Sequence, residues 1–319
     1  LSHNQIRVDD DKAILFENHN LKRLLLSHNK LEKISSETFR KLSKIKELSL
    51  EGNNDLAQID AAFVECVVDL ELLDLSHTSL RSFDFLLTPS KCFIHDLNLS
   101  FMDLKELNAG IFTRLAVLRD LKLNNNQLRC INKSWFIGLD ACLESIDLAN
   151  NQIESIDSDS FSNLKSLQTL LLSSNKLTAI DVYSFGQMKS LLSLNLSHNQ
   201  IREIRATRKQ QESESNLKLK SVDISNNRLT SFRDVNKLIA LTRNSLIRLD
   251  LGSNRIRVEQ QQQQEDHLNS SRLELSLELL NLETNNLSNF KFSDFIIKYP
   301  HLKSINLCSN QLETIKFYN

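Results

Sequence analysis

The stretch Leu118-Arg-Asp-Leu121-Lys-Leu123-Asn-Asn-Asn126 decides how this chain folds. Its four fixed positions, three leucines and a closing asparagine, recur at Leu21, Leu24, Leu26 and Asn29, and again at Leu167, Leu170, Leu172 and Asn175. Followed outward on the closing position, the series runs Asn4, Asn29, Asn53, Thr78, Met102, Asn126, Asn151, Asn175, Asn199, Asn227, Asn254, Asn285, Asn310. The spacings are 25, 24, 25, 24, 24, 25, 24, 24, 28, 27, 31 and 25. A fixed period of this length is the signature of a solenoid, in which each repeat is completed by its neighbours.

Each position has a physical reason. In Leu-x-Leu the leucines alternate with polar residues, the period-two pattern of a short strand with one buried face. Stacked repeats then make a long parallel sheet. The closing Asn is expected to turn inward, where its amide satisfies backbone groups left over as the chain quits the strand. Ten residues after the marker stands a Phe, at Phe39, Phe63, Phe112, Phe136, Phe161, Phe185 and Phe295. These are expected to form a spine inside the wall facing the sheet.

Composition agrees. With 5 Gly and 2 Pro in 319 residues, ordinary loop punctuation is nearly missing, while 40% hydrophobic residues suffice for a continuous core. A net charge of −1 gives no electrostatic case for nucleic acid. No apolar run reaches a membrane span, so no membrane insertion is expected within this stretch.

The 24-residue pattern, with Asn at nine and Phe ten later, resembles the "typical" leucine-rich-repeat class, and the resemblance covers essentially the whole chain. That class includes Toll-like receptor ectodomains, chaoptin-like adhesion proteins and small leucine-rich proteoglycans. It implies an α/β solenoid: a leucine-rich-repeat horseshoe with a parallel β-sheet on the concave face and a mostly irregular, 3-10 or short helical convex side. Residues 1–319 are read as one solenoid of about thirteen repeats, cut at both ends, with insertions near 205–216 and 259–272. Fold alone does not name a ligand, because this family binds many kinds of partner on one scaffold.

Two departures stand out. Thr78 and Met102 replace the marker Asn, and Met offers no amide, so the hydrogen-bonded ladder should loosen there. Between Asn199 and Asn285 the spacings lengthen, and Lys209, Lys237 and Gln264 take the expected Phe positions. The polar segments 205–216 and 259–272 are expected to loop out of the convex wall.

No nucleophile elbow, phosphate loop, zinc-protease motif or paired Cys-x-x-Cys occurs. Glu47, Glu51, Asp74, Asp96, Asp120 and Asp147 are expected to face outward from the strands. Asp96 and Asp120 sit on adjacent strands, a spacing that suggests a glycosidase pair. An open sheet face has no pocket to exclude water, so a solvated acidic patch facing a basic partner is favoured over catalysis. His3, His28, His77 and His198 all precede the marker and read as exposed turn residues. Cys66 falls at a core position and is expected as a buried thiol, and Cys308 is expected to point outward. Sequons at Asn98, Asn132, Asn195, Asn269 and Asn286 permit an extracellular location, although a chain this rich in Asn and Ser carries several by chance.

The expected function is non-catalytic recognition of another macromolecule by an extracellular or cell-surface protein, with no cofactor and no metal. An innate-immune or signalling receptor ectodomain and an intracellular scaffold are the alternatives. The partner is expected to be another protein, one with a basic surface, or a cell-surface ligand. Its contact residues are expected on the concave face: Glu47, Asp74, Asp96, Phe101, Asp120, Lys122 and Asp147.

Overall fold

Alternation of buried and outward side chains does produce strands here, three residues each at the Leu-x-Leu positions. The computed structural model describes residues 1–7, 20–87, 92–207, 217–242, 245–257, 276–291 and 299–316. The chain forms two compact units, residues 1–152 with 163–167, and residues 153–162 with 168–319.

In the first unit, Arg23–Leu25, Glu47–Ser49, Leu72–Asp74, Asp96–Asn98, Asp120–Lys122 and Ser145–Asp147 pair in parallel, each with the next repeat. The register aligns Leu24, Leu48, Leu73, Leu97, Leu121 and Ile146, all buried. In the second unit, Thr169–Leu171, Ser193–Asn195, Ser221–Asp223, Arg248–Asp250, Leu279–Asn281 and Ser304–Asn306 pair the same way.

The marker asparagines are inside, and their hydrogen bonds explain why Asn is required. Asn53 Oδ1 accepts the Leu31 N–H at 3.1 Å, and its Nδ2 donates to the Leu26 and Leu50 carbonyls. Asn151 repeats the arrangement with Leu128, Leu123 and Leu148. Asn199, in the second unit, does so with Leu177, Leu172 and Leu196. One side chain thus bridges two repeats and gives the buried N–H of Leu31, Leu128 or Leu177 its acceptor.

At the two irregular markers the expected loosening is partial. Thr78 Oγ1 still donates to the Leu75 carbonyl at 2.8 Å, but no amide bridges to the preceding repeat. Met102 contributes only its backbone N–H, which Asn126 Oδ1 accepts together with that of Leu104. Pairing of the strands through these repeats is nonetheless unbroken.

The opposite wall holds the aromatic spine. Phe39, Phe63, Phe112 and Phe136 in the first unit, and Phe161 and Phe185 in the second, are at most 1% exposed. Phe85, seven residues after Thr78, joins them edge-on to Phe63, which packs in turn against Phe39. Phe295 lies outside the described residues. The wall is built of short pieces: helical turns at Ser36–Phe39 and Phe63–Cys66, and 3-10 turns at Asp84–Leu87, Lys133–Phe136 and Val182–Phe185.

Three expectations about the wall need correction. Where Lys237 was read as an irregular substitute for Phe, the wall is an eleven-residue helix, Phe232–Thr242. Val235, Leu238, Ile239 and Thr242 fill the core in place of the ring, and Lys237 Nζ donates to the Ile204 carbonyl and to Asp234. Arg205, assigned to a looped-out segment, lies in the strand Glu203–Arg205, which pairs with Ala179–Asp181. Residues 208–216 and the whole of 259–272 lie outside the described residues. Cys66 is only half-buried, and its neighbour Val67 is buried instead. Cys308 is exposed.

Candidate binding face

The outward side chains of the first unit's sheet stand in two columns set by the strand register. One runs Arg23, Glu47, Leu72, Asp96, Asp120, Ser145, and the other Leu25, Ser49, Asp74, Asn98, Lys122, Asp147. Six of the seven residues assigned to binding therefore share one surface. Phe101 lies beyond the end of its strand.

Most charges on this surface are already compensated. Glu47 pairs with Arg23 from the preceding strand. Asp74 Oδ1 accepts from the Ser76 N–H and hydroxyl, and its Oδ2 accepts from Asn98 Nδ2 at 3.0 Å. Asp147 accepts the Ala149 N–H at 2.9 Å and has Lys122 as its register partner. Burial still raises the Asp147 carboxyl above its ordinary value, with Ala149 and Lys122 opposing. Of the expected acidic patch, two carboxylates are left facing each other.

Those two are Asp96 and Asp120. They are direct partners across parallel strands, and among the described residues neither forms an ion pair. Burial raises the Asp96 carboxyl above its ordinary value, and Asp120 adds to the shift by hydrogen bonding and by charge; His95 and Lys122 pull the other way. The pair borders a shallow depression of about 320 Å³ lined by Leu72, Asp74, Asn98 and Lys122 as well. The sheet is thus not as featureless as the sequence implied, but the hollow is open to solvent and does not isolate the carboxyls from water.

Beyond the strand ends runs a second feature. The residue before each marker holds a left-handed backbone, with φ between 53° and 57° at His3, His28, His77, Phe101, Asn125 and Asn150. Asn and His adopt that conformation more readily than most residues, whereas a bulky ring such as that of Phe does so rarely. Phe101 is 46% exposed and stacks on His77 at 4.2 Å, and His3 stacks on His28 at 4.6 Å. Gly52 holds the equivalent place, where a Cβ would meet the His28 ring at 2.3 Å. The histidines are turn residues as expected, and the ring stacking is what sequence reading missed; aromatic residues at equal repeat positions were its signal. Among the described residues no three His, Cys, Asp or Glu side chains converge to hold a metal ion.

Sequence comparison bears on this architecture directly. The leucine rich repeat family model matches residues 1–56, 94–142 and 142–201, just over half of the chain. The chain belongs to the leucine-rich-repeat family. Lumican from Bos taurus is 36% identical over 174 residues, covering 53% of this chain and 47% of lumican. Human Toll-like receptor 3 is 30% identical over 164 residues, covering 47% of this chain and 18% of the receptor. The chain thus spans about half the length of the lumicans it matches. Among solved structures, a chain of the Drosophila Toll–Spatzle complex matches with a TM-score of 0.68 at 20% identity, over 93% of this chain and 42% of that one. The leucine-rich-repeat domain of APL1B matches with a TM-score of 0.64 at 20% identity, over 96% and 80%. At such identities the structural likeness speaks for the fold alone. No helix among the described residues is long and apolar enough to cross a membrane.

Proposed function

We propose that this chain is the recognition segment of an extracellular or cell-surface protein, and that its outward sheet face between Glu47 and Asp147 docks a protein partner through a basic surface. The observation that carries this reading is the Asp96–Asp120 pair. Like charges placed in register destabilise a sheet, yet here the two carboxylates face each other with neither in an ion pair, while Glu47 on the same face is paired with Arg23. A cationic side chain from a partner relieves that repulsion and strengthens its own contact at the same time. Leu72 supplies an apolar floor beside them, and the exposed Phe101 ring offers a face that a cation or an aromatic side chain covers well. Kinship with lumican and Toll-like receptor 3 supports the extracellular placement. The hollow beside the pair is open to solvent, which favours binding over catalysis.

A short arginine-rich peptide serves as the probe. The expected result is binding that weakens steeply with salt, and that is lost when Asp96→Asn and Asp120→Asn are combined. Asn keeps the size and removes the charge. Affinity and salt dependence that are both unchanged in the double variant would overturn the reading.

A further inference from the structure

Four of the five sequons lie among the described residues, and the fold treats them differently. Asn98 and Asn195 sit within strands and are half-buried. Each turns its Oδ1 onto the N–H and the hydroxyl of the sequon's own serine, Ser100 or Ser197, and both serines are 5% exposed. Asn98 Nδ2 is also committed to Asp74. Asn286 is half-buried directly behind the marker Asn285. Asn132 is the contrast. It is exposed and stands at the N-terminus of the 3-10 turn Lys133–Phe136, where its Oδ1 accepts the Ser134 N–H at 2.9 Å. That bond closes a turn over the sequon and leaves Nδ2 with no partner among the described residues.

We propose that Asn132 carries an N-linked oligosaccharide and that Asn98 and Asn195 do not. This rests on the extracellular reading given above. In the transfer, Nδ2 of Asn132 bonds to the anomeric carbon of an oligosaccharide carried on a polyprenyl diphosphate. The bond from that carbon to the diphosphate oxygen breaks, the diphosphate leaves with the electron pair, and one amide proton passes to the transferring enzyme's base. The sugar then projects from the wall of the first unit, and the strands bearing Asp96 and Asp120 stay uncovered. A bulky hydrophilic group there is compatible with docking on the sheet, whereas one at Asn98 would sit beside the acidic pair.

The test is to express the chain behind a cleavable secretion signal in eukaryotic cells, release glycans with a peptide N-glycosidase in heavy-oxygen water, and map the labelled asparagines. Label at Asn132 in most molecules, with little at Asn98 or Asn195, is expected. Ser134→Ala should abolish it and lower the apparent mass while preserving the native circular dichroism, because the Asn132 cap remains. An unlabelled Asn132 in secreted, folded chain, or equal label at Asn98 or Asn195, would overturn the inference. If the routed chain is labelled at Asn132 but protein from its own cells carries no glycan, the assignment of Asn132 stands and the extracellular reading fails.

Discussion

The repeats closed by Asn126 and Asn151 and those closed by Thr78 and Met102 use the same strand pairing but differ in what lies under and over it. Beneath the first pair, each marker amide stitches its repeat to the one before. Under the second pair no marker side chain bridges to the repeat before, and the Thr78 hydroxyl bonds only within its own repeat, to the Leu75 carbonyl. Above the Met102 repeat, by contrast, stand Asp96, facing Asp120 without a counter-ion, and Phe101, an exposed ring in a left-handed backbone. Local rules of the repeat are therefore broken where the surface is most distinctive. Sequences that violate their own pattern do so most often at sites that serve something other than stability.

The largest effect should come from the spine, which both classes of repeat share. Phe136→Ala or Phe161→Ala should each cost about 3–5 kcal/mol in denaturant unfolding, as other buried aromatics do, because both rings are 1% exposed. Phe101→Ala should cost far less, since its side chain is nearly half exposed. An equal loss at Phe101 would mean that the ring is structural.

Next comes the stitch itself. Asn151→Ala removes the acceptor of the Leu128 N–H, and such a group costs about 1–3 kcal/mol when buried without a partner. Met102→Asn should do the reverse and stabilise the fold by about 1 kcal/mol, the net worth of a typical hydrogen bond. Hydrogen exchange of the neighbouring amides reads both. A destabilising Met102→Asn would show that the methionine, 2% exposed, contributes more by packing than an amide could by bridging.

Much of this comparison was legible beforehand, and the reasons are physical. The strands, the inward Asn and six of the Phe positions follow from a period that every repeat must obey for the stack to bury its core. Phe85 was missed because its repeat carries no ring at the tenth position and supplies one earlier. The helix Phe232–Thr242 was missed because it was sought as a departure from the repeat, although Val235, Leu238, Ile239 and Thr242 have the spacing of one helical face. Which outward carboxylates remain uncompensated could not be read from the chain. It depends on pairings such as Asn98 with Asp74, which exist only once the register is set.

A smaller effect follows from the carboxyls. Asp96 has its carboxyl raised above the ordinary value in the folded state. Its contribution is therefore fully present below the unfolded value and is lost as pH rises through the raised one. Asp96→Asn should accordingly stabilise the protein slightly near neutral pH, by no more than about 1 kcal/mol for a partly exposed group. The gain should fade as pH drops into the carboxylate range. A thermal melt series across that range reads the difference.

The uncompensated pair is the centre of the account, and the titration of Asp96 itself tests it most directly. Followed by carbon-13 NMR at its carboxyl, Asp96 should titrate above the ordinary aspartate value in the native chain, and move down when Asp120→Asn removes its neighbour's charge. An ordinary titration that does not move on Asp120→Asn would contradict it.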